Sequence, residues 1–166
     1  MPMTIHELSA AAVADVPELP ESEVEWEDLL YRLELMTRAL RVALEELPVE
    51  SAGARKVLRE LADREESAGR LLEAAADVAA ENDSLAAGPL QDESHGYEAD
   101  VDRFLRCRAH NFAMLQRRGV DVWQWRVEVP GGGPIGVYPF LVWLARGDID
   151  GLSALRSIAE RERAAC

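Results

Sequence analysis

Four separate segments of this chain repeat apolar residues every three or four positions, which is the spacing of one face of an α-helix. We predict helices over residues 24–48, 51–78, about 99–118 and about 136–162. Each segment has one apolar stripe and a charged opposite side. Helices of this kind can bury their stripes only against one another, so the pattern predicts an all-α four-helix bundle.

The segments between the helices carry turn and extended signals. Ser51 is a suitable N-cap for the second helix, and the polar stretch 81–97 is a long connection between the second and third helices. In 120–134 the alternating WQWRVEV and the following PGGGP predict a short extended piece or a hairpin before the last helix. We divide the chain into an N-terminal arm, 1–22, with room for one short helix, and a single domain, 23–166.

The charge balance limits the partners of this chain. Its 18 basic and 31 acidic residues give a formal net charge of -13, which repels phosphate backbones and anionic membranes. We therefore expect neither nucleic-acid nor membrane binding. Cys107 and Cys166 form no disulfide framework or CxxC motif, and no apolar run is long enough for a membrane span, so a cytoplasmic location is expected.

Three local patterns occur in an order that points to a family. They are VLRELADRE at 57–65, Trp123 and Arg126 ahead of a glycine-rich stretch, and FLVWLARGDIDGLSAL at 140–155. In this order they resemble the DinB/YfiT-like superfamily, over about residues 24–160. The resemblance implies an up-and-down four-helix bundle with a long loop between helices two and three and an extended or hairpin segment before helix four.

The resemblance also implies a metal site that this chain does not reproduce. Members of the superfamily bind a divalent metal, such as Zn or Ni, through one histidine of helix two and two histidines of helix four. The matching positions here are Glu60, Gly147 and Gly151. Glycine has no coordinating side chain, and one carboxylate cannot supply a transition-metal site. We therefore expect no metal, no cofactor and no catalytic residue, with His110 on the surface.

Charged residues on the inner helix faces suggest what has replaced the metal. Arg108 lies near the centre of the third stripe, Glu65 lies within the second, and Asp148 is placed to face inward from helix four. A buried ion needs a partner, so we predict a buried polar network of Arg108, Glu65, Glu60 and Asp148. The network is either a structural substitute for the metal or the polar lining of a ligand pocket.

The glycine pair itself has two interpretations. Small residues one turn apart on an inner face let a neighbouring helix or a large side chain come close, and otherwise they leave a cavity for a small apolar ligand. The side chains considered for the vacated space are Trp26, Trp123, Trp125 and Trp143.

The predicted function follows from the lost ligands. The first hypothesis is an uncharacterised DinB-like protein without a metal site that acts as a non-catalytic binding or scaffold protein and forms a homodimer through helix faces. A small apolar ligand is a variant of this hypothesis. The alternative is a metal-dependent thiol S-transferase-like enzyme with a variant site. A third hypothesis is a stress-linked accessory role, which rests only on the association of the superfamily with such roles.

Overall fold

A computed structural model describes residues 4–47, 51–79 and 97–166 of the chain. Within these ranges it has four long helices and a two-stranded sheet, which confirms the mostly helical, four-helix prediction. The predicted connection 81–97 lies outside the described residues, except for the residue that begins the third helix. The elements are α1 (Glu23–Glu45), α2 (Ala52–Ala79), α3 (Tyr97–Arg118), β1 (Arg126–Val129), β2 (Gly133–Gly136) and α4 (Val137–Ala164), with 3-10 helices at Ile5–Glu7, Ala10–Val13 and Gly119–Gln124.

The first two long helices begin at serine N-caps. The Ser22 hydroxyl accepts a hydrogen bond from the Glu25 backbone N–H at 3.2 Å, and the Ser51 hydroxyl accepts one from the Ala54 N–H at 3.3 Å. Each satisfies one of the backbone donors that a helix start leaves without a partner. The predicted cap at Ser51 is thereby confirmed. In α4, Pro139 lies in the first turn, where its missing N–H costs nothing.

Helices α1 and α4 run in the same direction. At their N-terminal ends the Tyr138 hydroxyl donates a hydrogen bond to Glu25 at 2.7 Å. At their C-terminal ends a guanidinium nitrogen of Arg163 lies 3.7 Å from a carboxylate oxygen of Glu46. Contacts at matching ends require a parallel pair.

Helices α2 and α3 are also parallel, since Arg59 pairs with Asp100 near one end and Glu73 with His110 further along. The order is therefore not the strictly alternating up-and-down arrangement that the resemblance implied, and that expectation is wrong. Amphipathic stripes carry no information on direction. Only short loops force neighbouring helices to be antiparallel, and a connection as long as 81–97 does not.

The predicted extended segment before the last helix is an antiparallel hairpin. Val127 pairs with Ile135, and both side chains are buried. Gly131 and Gly133 have φ angles of 74° and 77°, in the left-handed region that favours glycine. The glycine-rich turn thus closes the hairpin against the bundle.

The N-terminal arm contributes to the same interior. It contains two short 3-10 helices instead of one, and Ile5, Leu8 and Val13 are buried in the apolar core. Asp15 accepts two hydrogen bonds from the guanidinium of Arg146 on α4, at 3.1 and 2.6 Å. Apolar burial and an ion pair together hold the arm on the bundle.

Two further predictions concern membrane-spanning helices and the state of the cysteines. None of the helices in the described ranges combines the length and the low charge that a lipid bilayer would require of a spanning segment. Cys107 and Cys166 both have free thiols.

The contact between the N-terminal ends of α1 and α4 predicts that Tyr138 loses its proton at a higher pH than an ordinary tyrosine. Burial and the hydrogen bond to Glu25 raise the pKa of Tyr138 to about 12. Because the folded-state pKa exceeds the unfolded value of about 10, the stability from this bond is fully present below pH 10 and is lost as the pH rises through 12. Spectrophotometric titration of the phenolates should show a step at high pH that belongs to Tyr138. That step should vanish in Tyr138→Phe and persist in the matched Tyr31→Phe variant.

Candidate functional site

The apolar interior consists of two clusters separated by a polar layer. One cluster includes Leu33 of α1 and Leu144 of α4, whereas the other includes Leu40 and Leu152, about two turns further along the same helices. Between them the helices present buried polar side chains, which we call the ionic layer: Arg64, Glu65, Arg108, Asn111 and Asp148.

Arg108 of α3 lies at the centre of the ionic layer and contacts the other three helices. Its guanidinium donates to both carboxylate oxygens of Asp148 on α4, at 2.7 and 2.8 Å, and to Glu65 on α2 at 2.9 Å. Longer bonds of 3.3 and 3.4 Å reach the Thr37 hydroxyl and the Leu33 carbonyl on α1. The structure thus brings together three of the four residues in the predicted network, and a single side chain joins all four helices.

The electrostatics of Arg108 favour its charged form. Burial acts to lower the pKa of Arg108, but the attraction of Asp148 and Glu65 outweighs it, so the pKa lies above its ordinary value. Phe104 and Phe112, one turn before and after it on α3, place their rings 5.1 and 5.9 Å from the guanidinium carbon. These rings contribute cation–π attraction to the guanidinium.

Glu65 is held by a second donor on α3. The Asn111 side-chain amide donates to the Glu65 carboxylate at 2.9 Å and to the Glu65 backbone carbonyl at 3.2 Å. Gly69 makes room for this contact, because a Cβ there would lie 2.7 Å from the Asn111 Oδ1 atom. Both oxygens of the Glu65 carboxylate therefore have a fixed donor, as burial of a charge requires.

Arg64 is a second buried cation in the ionic layer, with 5% of its surface exposed. It donates to the backbone carbonyls of Trp143 at 2.5 Å and Leu144 at 3.3 Å, and its guanidinium lies 3.9 Å from the centre of the Trp143 ring. Burial lowers the pKa of Arg64 to about 10, which still leaves it charged at neutral pH. The nearby charges of Asp148 and Glu65 oppose that lowering. Two cations and two carboxylates thus balance within the layer.

The two glycines of α4 face the side chains of α2. A Cβ at Gly147 would coincide with the guanidinium of Arg64, and a Cβ at Gly151 would lie 3.0 Å from a methyl carbon of Leu61. The vacated space beside Gly147 thus holds an arginine and not one of the four tryptophans that we considered. Trp143 instead stacks on that arginine. A large side chain in close approach, and not a cavity, explains the glycine pair here.

Glu60 and His110 lie away from the ionic layer. Glu60 is half-buried on α2 beside a surface groove, and within the described residues its Oε2 atom has no hydrogen-bond partner. The structure therefore does not bring Glu60 to Arg108, although it lies on the same helix as Glu65. His110 is half-buried, and its Nε2 atom lies 2.7 Å from Glu73.

Our sequence reasoning did not identify three polar contributors to the layer. Asn111 follows Arg108 by three positions and Arg64 follows Leu61 by three, so both continue an apolar stripe. Thr37 likewise occupies a gap in the stripe of α1. A search for polar residues at stripe positions would have found them, although it could not have told which of them meet.

The residues at the implied metal site do not fit a metal. Gly147 faces the positively charged Arg64, which would repel a divalent cation placed there. Across the described ranges, no group of three or more His, Cys, Asp or Glu side chains lies close enough together to hold a metal ion. The carboxylates of the layer already bind Arg108. The resident cations at this position are guanidinium groups.

Comparison of the chain with models of protein families, with curated proteins and with solved structures found no match in any of the three. The resemblance to the DinB/YfiT-like superfamily accordingly rests on the sequence patterns alone.

Proposed function

We propose that this chain is a non-catalytic binding or scaffold protein, a divergent DinB-like bundle in which a buried ionic layer has taken the place of a metal site. The observation that carries the proposal is the guanidinium of Arg108, which bonds to a carboxylate on α2, to a carboxylate on α4 and to α1. A group that contacts every helix at mid-height can align the helices as a bound metal would. It offers no open coordination position for a substrate.

The filled interior supports a scaffold over an enzyme. Both carboxylates of the layer accept hydrogen bonds from Arg108, and the space beside the glycine pair is taken by Arg64 and Leu61. Catalytic groups need contact with a substrate, and small-molecule sites are concave and accessible. A buried ion cluster whose two carboxylates are both bonded to Arg108 meets neither requirement. We propose that the protein acts through its outer surface, as a homodimer in the cytoplasm.

Metal loading tests this proposal directly. Protein purified without a tag or chelator and dialysed against zinc, nickel and manganese in turn should retain less than about 0.1 equivalent of metal per chain, and EDTA should leave Tm unchanged within about 1 °C. In contrast, Arg108→Met should lower Tm by about 10 °C, because the ionic layer and not a metal holds the helices. Elemental analysis and calorimetry supply the two measurements.

Retention of about one equivalent of metal, with a rise in Tm that EDTA reverses, would contradict the proposal. That result would favour the metal-dependent thiol S-transferase-like alternative, with ligands outside the ionic layer. The Arg108→Met variant tests the ionic layer independently of the metal, since a stabilising metal elsewhere would leave the effect of this substitution unchanged.

A further inference from the structure

Helix α1 has a second apolar face that points away from the bundle. Val24, Tyr31, Leu35 and Val42 expose 66%, 58%, 41% and 54% of their surface. At 100° per residue these four side chains fall within about 20° of one line along the helix, opposite the buried stripe. We call them the outer stripe. Scattered exposed apolar residues need no explanation, but an aligned set on one helix is typical of an interaction surface.

The spacing of the outer stripe is symmetric about residue 33. Val24 and Val42 lie nine positions on either side of it, and Tyr31 and Leu35 lie two positions on either side. A second copy of α1, placed antiparallel with a two-fold axis at this point, would set Val24 against Val42 and Tyr31 against Leu35. A two-fold interface requires such a self-complementary patch. The contact would extend over about 27 Å of helix.

Charges on one flank of the outer stripe match in the same register. Glu23, Glu27, Arg38 and Arg41 are exposed and lie on one side of the stripe. In the antiparallel pair, Glu27 would lie about one residue from the level of Arg38 of the second copy, and Glu23 about two residues from the level of Arg41 of the second copy, within reach of these long side chains. The two-fold axis repeats each pair, so four opposite-charge contacts would form.

Both arginines already have ion-pair partners within α1, but these pairs are weak enough to be replaced by pairs across the dimer. Arg38 pairs with Glu34 and Arg41 with Glu45, each one turn away on the same helix, and all four side chains are at least half exposed. Such exposed pairs contribute only about 0.3–0.5 kcal/mol. Near the axis Glu34 would approach its own copy, with Arg38 one turn away on the same helix.

We propose that the outer stripe of α1 is the contact surface of an antiparallel homodimer, with a second copy of this chain as its occupant. The proposal rests on the proposed scaffold function and specifies its dimer face. The apolar register and the flanking charges both fit the same partner, which is α1 of a second copy in the antiparallel orientation. A single helix pair is smaller than the standard interface of about 800 Å² per partner, so we expect a dissociation constant on the order of 10 µM.

The first test is the mass of the protein by sedimentation equilibrium at about 1–200 µM. The unmodified protein should change from monomer to dimer over this range, and Tyr31→Glu should raise the dissociation constant at least tenfold. A second test is Val42→Glu, with Val78→Glu as its matched control. Val78 is also an exposed valine, with 76% of its surface exposed, but it lies on α2. Only Val42→Glu should weaken the dimer.

A charge exchange tests the register. Arg38→Glu alone should weaken association, since Glu27 would then lie next to a glutamate of the second copy. Adding Glu27→Arg should restore the dissociation constant to within about threefold of the original, which a general loss of surface charge would not do. Circular dichroism of each variant shows that the fold is retained.

The outcomes separate this proposal from the proposed function. A dimer that Tyr31→Glu and Val42→Glu leave intact would overturn the α1 interface while leaving the scaffold homodimer in place. A protein that is monomeric at 200 µM would overturn both the interface and the homodimer. Neither result bears on the metal measurements, which test the absence of a catalytic centre independently.

Discussion

Replacement of Arg108 by methionine should lower the free energy of unfolding by about 3–5 kcal/mol. The substitution leaves Glu65 and Asp148 buried without their cation, with 2% of each residue exposed. Urea-induced unfolding, monitored by circular dichroism, measures the change.

Two further variants isolate the cause of this loss. The first is Arg103→Met on the same helix. Arg103 also pairs with three carboxylates, but 26% of its side chain is exposed; its partners are Asp63, Glu66 and Asp100. The substitution should cost about 1 kcal/mol or less, because water screens the remaining charges.

Neutralising the two carboxylates should in turn recover stability in the Arg108→Met background. The triple variant with Glu65→Gln and Asp148→Asn removes both carboxylate charges that Arg108 bonded, and it should be more stable than Arg108→Met alone. Equal losses for Arg108→Met and Arg103→Met, with no recovery in the triple variant, would show that the ionic layer does not carry the stability that we assign to it.

Gly147→Ala should lower the free energy of unfolding by about 2 kcal/mol, although alanine ordinarily favours a helix interior by about 1 kcal/mol over glycine. The new Cβ would occupy the position of the Arg64 guanidinium. Arg64 would have to leave the Trp143 ring and the carbonyls of Trp143 and Leu144. Denaturant unfolding of the variant gives the magnitude.

Gly151→Ala provides the matched control on the same helix, one turn later. Its Cβ would meet only the flexible end of Leu61, at 3.0 Å, so the net change should stay within about 1 kcal/mol. In an Arg64→Met background, Gly147→Ala should become neutral or stabilising, since the clash is gone and the helix preference remains. The same loss in both backgrounds would mean that Arg64 does not occupy this space.

Part of the candidate site could be read from the sequence. Arg108, Glu65 and Asp148 stand at stripe positions where an apolar residue would be expected, and a charge in such a place must find a partner. We also placed Glu60, a second acidic residue of the helix that carries Glu65, in this network as a partner for Arg108. On a helix, five positions separate Glu60 from Glu65 by about 140°, so only one of them can face Arg108.

The sequence by itself determined the number and the bounds of the helices, because periodicity, caps and turn residues act over a few positions. It also determined that charges would be buried. The tertiary structure alone decided the parallel pairing of α1 with α4 and of α2 with α3, and it decided that Arg64 would fill the space of Gly147. Both depend on which helices become neighbours, and that choice minimises the free energy of the whole packed interior, which no local pattern contains.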